Sequence, residues 1–210
     1  MSIGNIRIDW RAKLLVGLVN LVIWFVGYFW LNRRAFDSYF VVPSTALDVL
    51  PLLPWTITLY LSSWVYSAAG IFLLPSGHDA RKFLASVVVA YAISFAAFAL
   101  WPTQLDPALR IEADPTAMHE WFGAAFAWVQ AADRPYTCFP SLHVANAELV
   151  MLAHWRTPRA AWMTIWALAI ALSTMTTRQH VLVDVVGGAA VGVLGFWIAR
   201  RISRPEPRPD

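Results

Sequence analysis

Uncharged apolar runs recur along this chain at lengths that suit a bilayer. Residues 13–31 carry no charge after Lys13, residues 52–74 carry none, and residues 83–101 carry none. A helix needs about 20 mostly apolar residues to cross the hydrocarbon of a membrane, and each of these runs supplies them. The second half repeats the pattern less cleanly. Residues 140–153 contain His143 and Glu148, residues 160–175 are apolar but short, and residues 181–199 contain Asp184 as their single charge. The pattern predicts an all-α integral membrane bundle of six transmembrane helices over residues 1–202. Between spans three and four, residues 118–132 interleave Trp121, Phe122, Phe126 and Trp128 with smaller side chains, which predicts a helix lying in the membrane interface. From Ser203 onward proline alternates with charge, predicting a disordered tail over 203–210. Neither an internal repeat nor a second domain is visible.

Composition strengthens the membrane reading. Hydrophobic residues make up 59% of the chain and charged residues 14%, where a soluble domain carries about 45–50% and about 25%. A soluble chain of this size buries only roughly 70% of its unfolded surface, so the surplus would face water. The first run exceeds the roughly 7–15 apolar residues of a signal peptide. It is followed by Asn32-Arg33-Arg34 in place of a small-residue cleavage site, and is expected to stay attached. Cys138 is the one cysteine, which excludes an intramolecular disulfide. The net charge of +3 gathers near span ends and lacks the continuous basic face that nucleic acid requires.

Cytoplasmic connections are enriched in Lys and Arg, so charge also orients the bundle. In the six-span arrangement one side collects Arg7, Arg11, Lys13, Arg81, Lys82, Arg156, Arg159, Arg200, Arg201, Arg204 and Arg208. The other collects Arg33, Arg34, Arg110, Arg134 and Arg178. Both termini are therefore expected in the cytoplasm. The long connection 102–139 and the short turn 176–179 then share the opposite face. The small chain and its lack of targeting features suggest a bacterial inner membrane, with that face periplasmic.

Ionisable side chains at membrane depth are costly and tend to be functional, which singles out His143, Glu148, His180 and Asp184. His180 and Asp184 lie four apart, one helical turn, so the carboxylate can fix one ring nitrogen and leave the other as nucleophile or base. Arg178 sits in the turn above, with a guanidinium suited to bidentate phosphate recognition. The second motif runs from Arg134 through Pro140-Ser141-Leu142-His143. Its helix start is a candidate anion seat, with Ser141 supplying a hydroxyl, His143 a proton and Arg134 a flanking charge. Two histidines, a carboxylate and nearby arginines suit phosphoryl transfer without a metal.

Pro140-Ser141-Leu142-His143 and His180-Val181-Leu182-Val183-Asp184 resemble the second and third signatures of the type 2 phosphatidic acid phosphatase superfamily. The stretch Ser173–Arg178, followed by His180, Asp184 and Gly187-Gly188, is similar to the branch containing fungal inositol phosphorylceramide synthase. The resemblance implies six transmembrane helices, a phosphohistidine intermediate on His180, proton donation by His143 and orientation by Asp184. The superfamily's first signature, a Lys followed seven residues later by Arg-Pro, is absent near its expected place. Trp101-Pro102-Thr103 with Arg110 downstream only loosely echoes the corresponding segment of the synthase-like branch. Arg178 also lies two residues before the histidine, where the phosphatase form has its Arg six before.

The expected activity is hydrolysis of a lipid-linked phosphate or diphosphate, without cofactor or metal and without nucleic-acid partners. Transfer of a phospho-headgroup, such as phosphoinositol, to an alcohol is the alternative within the same chemistry. A proton-coupled transporter using the His180–Asp184 pair is the alternative of another class. A metal held by His143, His180 and Asp184 is disfavoured by the arginines nearby. His78, His119 and His154 read as structural, and Gly187, Gly188, Gly192 and Gly195 as helix-packing positions.

Overall fold

The computed structural model describes residues 3–45, 48 and 50–202. The expected tail, with Arg204 and Arg208, lies outside the described residues. The chain is mostly helical: α1 Ile3–Arg33, α2 Ile57–Leu61, α3 Ser63–Phe72, α4 Gly77–Leu100, α5 Pro107–Glu112, α6 Glu120–Ala132, α7 Leu142–His154, α8 Ala160–Thr176 and α9 Leu182–Ile202. Three segments are long and apolar enough to cross a membrane: Trp10–Arg33, Gly77–Leu100 and Leu182–Ile202. Their exposed faces carry Leu15, Val26, Trp30, Val88 and Trp197, as a lipid-facing surface should. The protein is a helical membrane protein.

The expected second span is divided. A 3-10 turn at Pro54–Thr56 precedes α2, and Ser62 separates α2 from α3. Pro54 removes a backbone donor, and the Ser62 hydroxyl donates back to the Leu59 carbonyl at 2.7 Å. The α7 segment has 13 residues, about 20 Å at 1.5 Å per residue, less than the roughly 30 Å of hydrocarbon. Ser141 caps its start, its hydroxyl accepting from the Val144 N–H at 3.4 Å. The helix therefore begins after Pro140 rather than on it.

Packing centres on α9, which lies along both α4 and α7, while α1 lies against α4. Lipid gives helices no hydrophobic drive toward one another, so close backbone approach must supply the contact. Gly188 and Gly192 allow it on α7, where a Cβ would meet the carbonyl oxygens of Ser141 and Ala145. Gly195 does the same toward Ser86 and Ala90 of α4. Tyr66, Phe98, Leu149 and Ile170 fill the common core.

A short seam closes the end of the bundle from which α7 and α9 start. Strand β1 (Phe40–Val41) pairs in parallel with β2 (Thr103–Gln104), and Gln104 bridges to Tyr136. A helix is present in the expected stretch 118–132, as α6. It buries Phe126 and Val129 in one cluster with Ile57 and Tyr60 and leaves Trp121 and Trp128 exposed.

Candidate active site

The turn between α8 and α9 is tied tightly enough to aim a side chain. The Thr174 carbonyl accepts from the N–H groups of both Gln179 and His180 at 3.0 Å. Arg178 takes a left-handed conformation at φ 56°, which reverses the chain in so few residues. Asp184 is fully buried. Its Oδ2 accepts from the Val181 N–H at 3.1 Å and lies 3.3 Å from His180 Nδ1. The carboxylate thus caps the start of α9 and holds one nitrogen of His180, directing Nε2 outward. The 3.3 Å separation is long for a charge-assisted bond.

His143, on the first turn of α7, faces this pair. The two imidazole centroids are 6.2 Å apart, which leaves space for one phosphoryl group between the rings. Tyr60 lies against His143 at 4.4 Å between centroids, and Trp24 at 6.0 Å. The Asp184 carbonyl accepts from the Ser141 N–H at 3.1 Å, which fixes α7 and α9 to each other at the level of both histidines.

Four residues outside the sequence motifs build the site. Asp48 accepts from the Leu182 N–H at 2.7 Å and the Thr45 N–H at 2.6 Å. Its carbonyl takes a bond from Arg178 Nη1 at 3.0 Å, so one residue caps α9 and anchors the arginine. Asn32, fully buried, donates to the carbonyls of Arg134 and Tyr136, each at 3.0 Å, and accepts from the Arg134 N–H at 3.1 Å. It clamps the loop that leads into His143 onto α1. Thr103 accepts from the Phe139 N–H through its hydroxyl and from the Thr137 N–H through its carbonyl. Asp133, at the end of α6, accepts from the Tyr28 hydroxyl at 2.7 Å. Burial raises the Asp133 carboxyl to about 6, opposed by the Tyr28 hydrogen bond and by the positive charges of His180 and Arg110. Tyr28, Tyr60, Trp128, Asp133 and His143 share a mainly apolar cavity of about 300 Å³.

The candidate phosphate ligands fall into different positions. Arg178 is half-buried beside the histidines and held by Asp48. Arg110 donates through Nη2 to the carbonyls of Gln130 at 2.7 Å and Asp133 at 3.0 Å, capping the C-terminal end of α6 with its charge close to Asp133. Arg134 is exposed at the rim, and its engagement among the described residues is through its backbone. Ser141 is fully buried as the α7 cap. The N–H groups of Val144, Val181 and Leu182 meet Ser141, Asp184 and Asp48. Glu148, a turn and a half below His143, packs its stem beside Gly192. His154 is a structural histidine, with Nε2 at 2.9 Å from the Gly70 carbonyl. Among the described residues no cluster of three His, Cys, Asp or Glu side chains is placed to hold a metal ion.

No curated protein gives a match to this sequence. Residues 51–198 match the PAP2 superfamily, a stretch that takes in α2 to α8, most of α9, both histidine motifs and β2, but not β1. That match points to phosphatase-type activity in general, and the chain belongs to the PAP2 superfamily.

Proposed function

We propose that this protein is a metal-independent phosphatase acting on a lipid-linked phosphate or diphosphate, with the headgroup between His143 and His180. The observation that carries the reading is the facing of two imidazoles at 6.2 Å with Asp184 behind one of them. His180 Nε2 attacks phosphorus; the bond from phosphorus to the lipid oxygen breaks, and His143 gives that oxygen its proton. His143 then takes a proton from water as the water oxygen displaces His180, releasing phosphate. Asp184 keeps the proton on Nδ1 throughout and stabilises the charge on the phosphorylated ring. Arg178, with Arg110 behind it, supplies positive charge to the equatorial oxygens. Arg134 at the rim meets the incoming headgroup, and Ser141 acts through the start of α7.

The bundle is proposed to cross the membrane six times, with α2 and α3 together forming one crossing, both termini cytoplasmic and the histidines on the opposite face. The charge distribution supports this orientation. A screen of lipid phosphates and diphosphates with full-length protein in detergent and excess chelator tests the activity, run with and without inositol. Phosphate release in chelator is expected. Headgroup transfer to inositol in place of release would assign the transferase reaction, and substrate flux in liposomes without phosphorus chemistry would replace the enzyme with a transporter.

A further inference from the structure

The end of the bundle away from the histidines holds a cleft of its own. It has a volume of about 420 Å³ and lies where three mutually packed helices meet, at the first turns of α4, the end of α7 and the end of α9. Twenty residues of chain separate His180 from Arg200, about 30 Å of helix, which is the thickness of the hydrocarbon. The cleft therefore sits at the level of the other headgroup layer, the cytoplasmic one in the orientation proposed above. Trp155 and Trp197 are exposed there, as aromatic side chains at a headgroup boundary should be.

Three cations from three elements line the cleft: Lys82 of α4, Arg156 of the connection from α7 to α8, and Arg200 of α9. One carboxylate, Asp79, faces them, and its Oδ2 accepts from the Ser76 hydroxyl at 2.7 Å. The lining keeps an excess of positive charge. Among the described residues none of the three cations forms an ion pair or donates a hydrogen bond, although Lys82 is half-buried. Arg156 lies 5.7 Å from the centre of the Trp155 ring, and Arg200 lies 5.2 Å and 5.9 Å from those of Phe196 and Trp197. Contact with a ring face steadies a guanidinium and leaves its N–H edge open to an oxyanion. Beneath the cations, Phe83, Leu152 and Phe196 make an apolar floor. Cations above an apolar floor, at headgroup depth between helices, suit a phosphate joined to hydrocarbon.

We propose that this cleft binds the phosphate of an anionic phospholipid from the leaflet opposite the histidines, with Lys82, Arg156 and Arg200 around its oxygens and the floor beneath its chains. The site is separate from the one at His143 and His180, and does not rest on the phosphatase reading. Its occupant draws together the ends of α4, α7 and α9, and so stabilises the two helices that present the histidines at their other ends. A zwitterionic headgroup brings a cation of its own into a positive lining and is disfavoured. Free phosphate meets the cations but leaves the apolar floor bare.

The test titrates full-length protein in detergent micelles with phosphatidylglycerol, phosphatidylcholine or inorganic phosphate and follows the melting temperature, which a ligand of the folded state raises. Phosphatidylglycerol should give a saturating rise, with an apparent affinity at least about tenfold above those of the other two, the effect of about two charges near a membrane surface. Lys82→Gln, Arg156→Gln and Arg200→Gln should each weaken its binding about fivefold, the effect of one such charge. Arg81→Gln and Arg201→Gln remove exposed charges at the same end but outside the lining, and should stay within about twofold of the wild type. Arg156 and Arg200 are themselves exposed, so their replacement leaves the fold intact, which the melting temperature without lipid checks. Equal binding of phosphatidylcholine, or inorganic phosphate matching phosphatidylglycerol, would overturn the proposal. Equal losses in the cleft variants and in Arg81→Gln and Arg201→Gln would reduce it to the general charge of that face, and binding unmoved by the three cleft variants would place the lipid elsewhere; either result overturns it.

Discussion

The two ends of α7 each carry a histidine, and they are used in opposite ways. His154, at the C-terminal end, is fully buried, with Nε2 on the Gly70 carbonyl and Nδ1 near the Thr157 hydroxyl at 3.4 Å. Both nitrogens belong to the fold. His143, at the N-terminal end, is surrounded by ring faces, those of Tyr60, Trp24 and His180. Among the described residues no hydrogen bond occupies its nitrogens, so they remain available to a ligand. A histidine becomes a reagent when the fold fixes its ring by packing and leaves its nitrogens unspent. His180 stands between the two cases, with one nitrogen given to Asp184 and one kept.

The largest expected effect breaks that intermediate case. Asp184→Asn should lower kcat by up to about 10⁴-fold, because an amide turned to donate at Nδ1 selects the wrong tautomer. Steady-state phosphate release checks it, and a loss under threefold would remove Asp184 from its orienting role. At the ends of α7 the outcomes should separate. His143→Gln is expected to cost roughly 10²–10⁴-fold in kcat with little change in melting temperature. His154→Leu should leave kcat within a few-fold and lower stability by about 1–3 kcal/mol, since the buried Gly70 carbonyl loses its partner. Parallel assays and thermal melts in detergent decide between these signatures.

Much of this was legible in the sequence, and for local reasons. The spacing of His180 and Asp184 is one helical turn, so their contact needs no knowledge of the rest of the chain. The aromatic run at 118–132 likewise announces α6. Asp48 and Asn32 were not legible, because they act across 134 and 102 residues on Leu182 and Arg134, and no periodicity marks either. Thr103 lay inside a segment noted for its loose likeness to the synthase-like branch, yet its role, holding Thr137 and Phe139, depends on strand pairing that two-residue strands do not signal. The apolar run 52–74 read as one helix because hydropathy counts side chains. The break at Pro54 and Ser62 is made by backbone and hydroxyl hydrogen bonds.

Two smaller effects sharpen the contrast at the histidine end. Asp48→Ala should remove a cap from α9 and loosen Arg178, costing about 0.5–2 kcal/mol of stability together with a rise in KM. Asp133 gives the pH signature. Its carboxyl lies near 6 against an ordinary 3.8, so the folded protein binds that proton more tightly than the unfolded chain. The stability it contributes is complete below about pH 4 and is lost as pH rises through about 6. Melting temperatures across that window should fall in the wild type relative to Asp133→Asn, and parallel curves would contradict the assignment.

The central claim is that His180 carries the phosphoryl group while His143 moves protons. Brief exposure of the protein to radiolabelled lipid phosphate, followed by denaturing quench, measures it directly. The wild type should yield an acid-labile, alkali-stable label that maps to His180, His143→Ala should acquire it more slowly, and His180→Ala should yield none. A label that persists in His180→Ala, or none on His180 in the wild type while phosphate is released, would contradict the account.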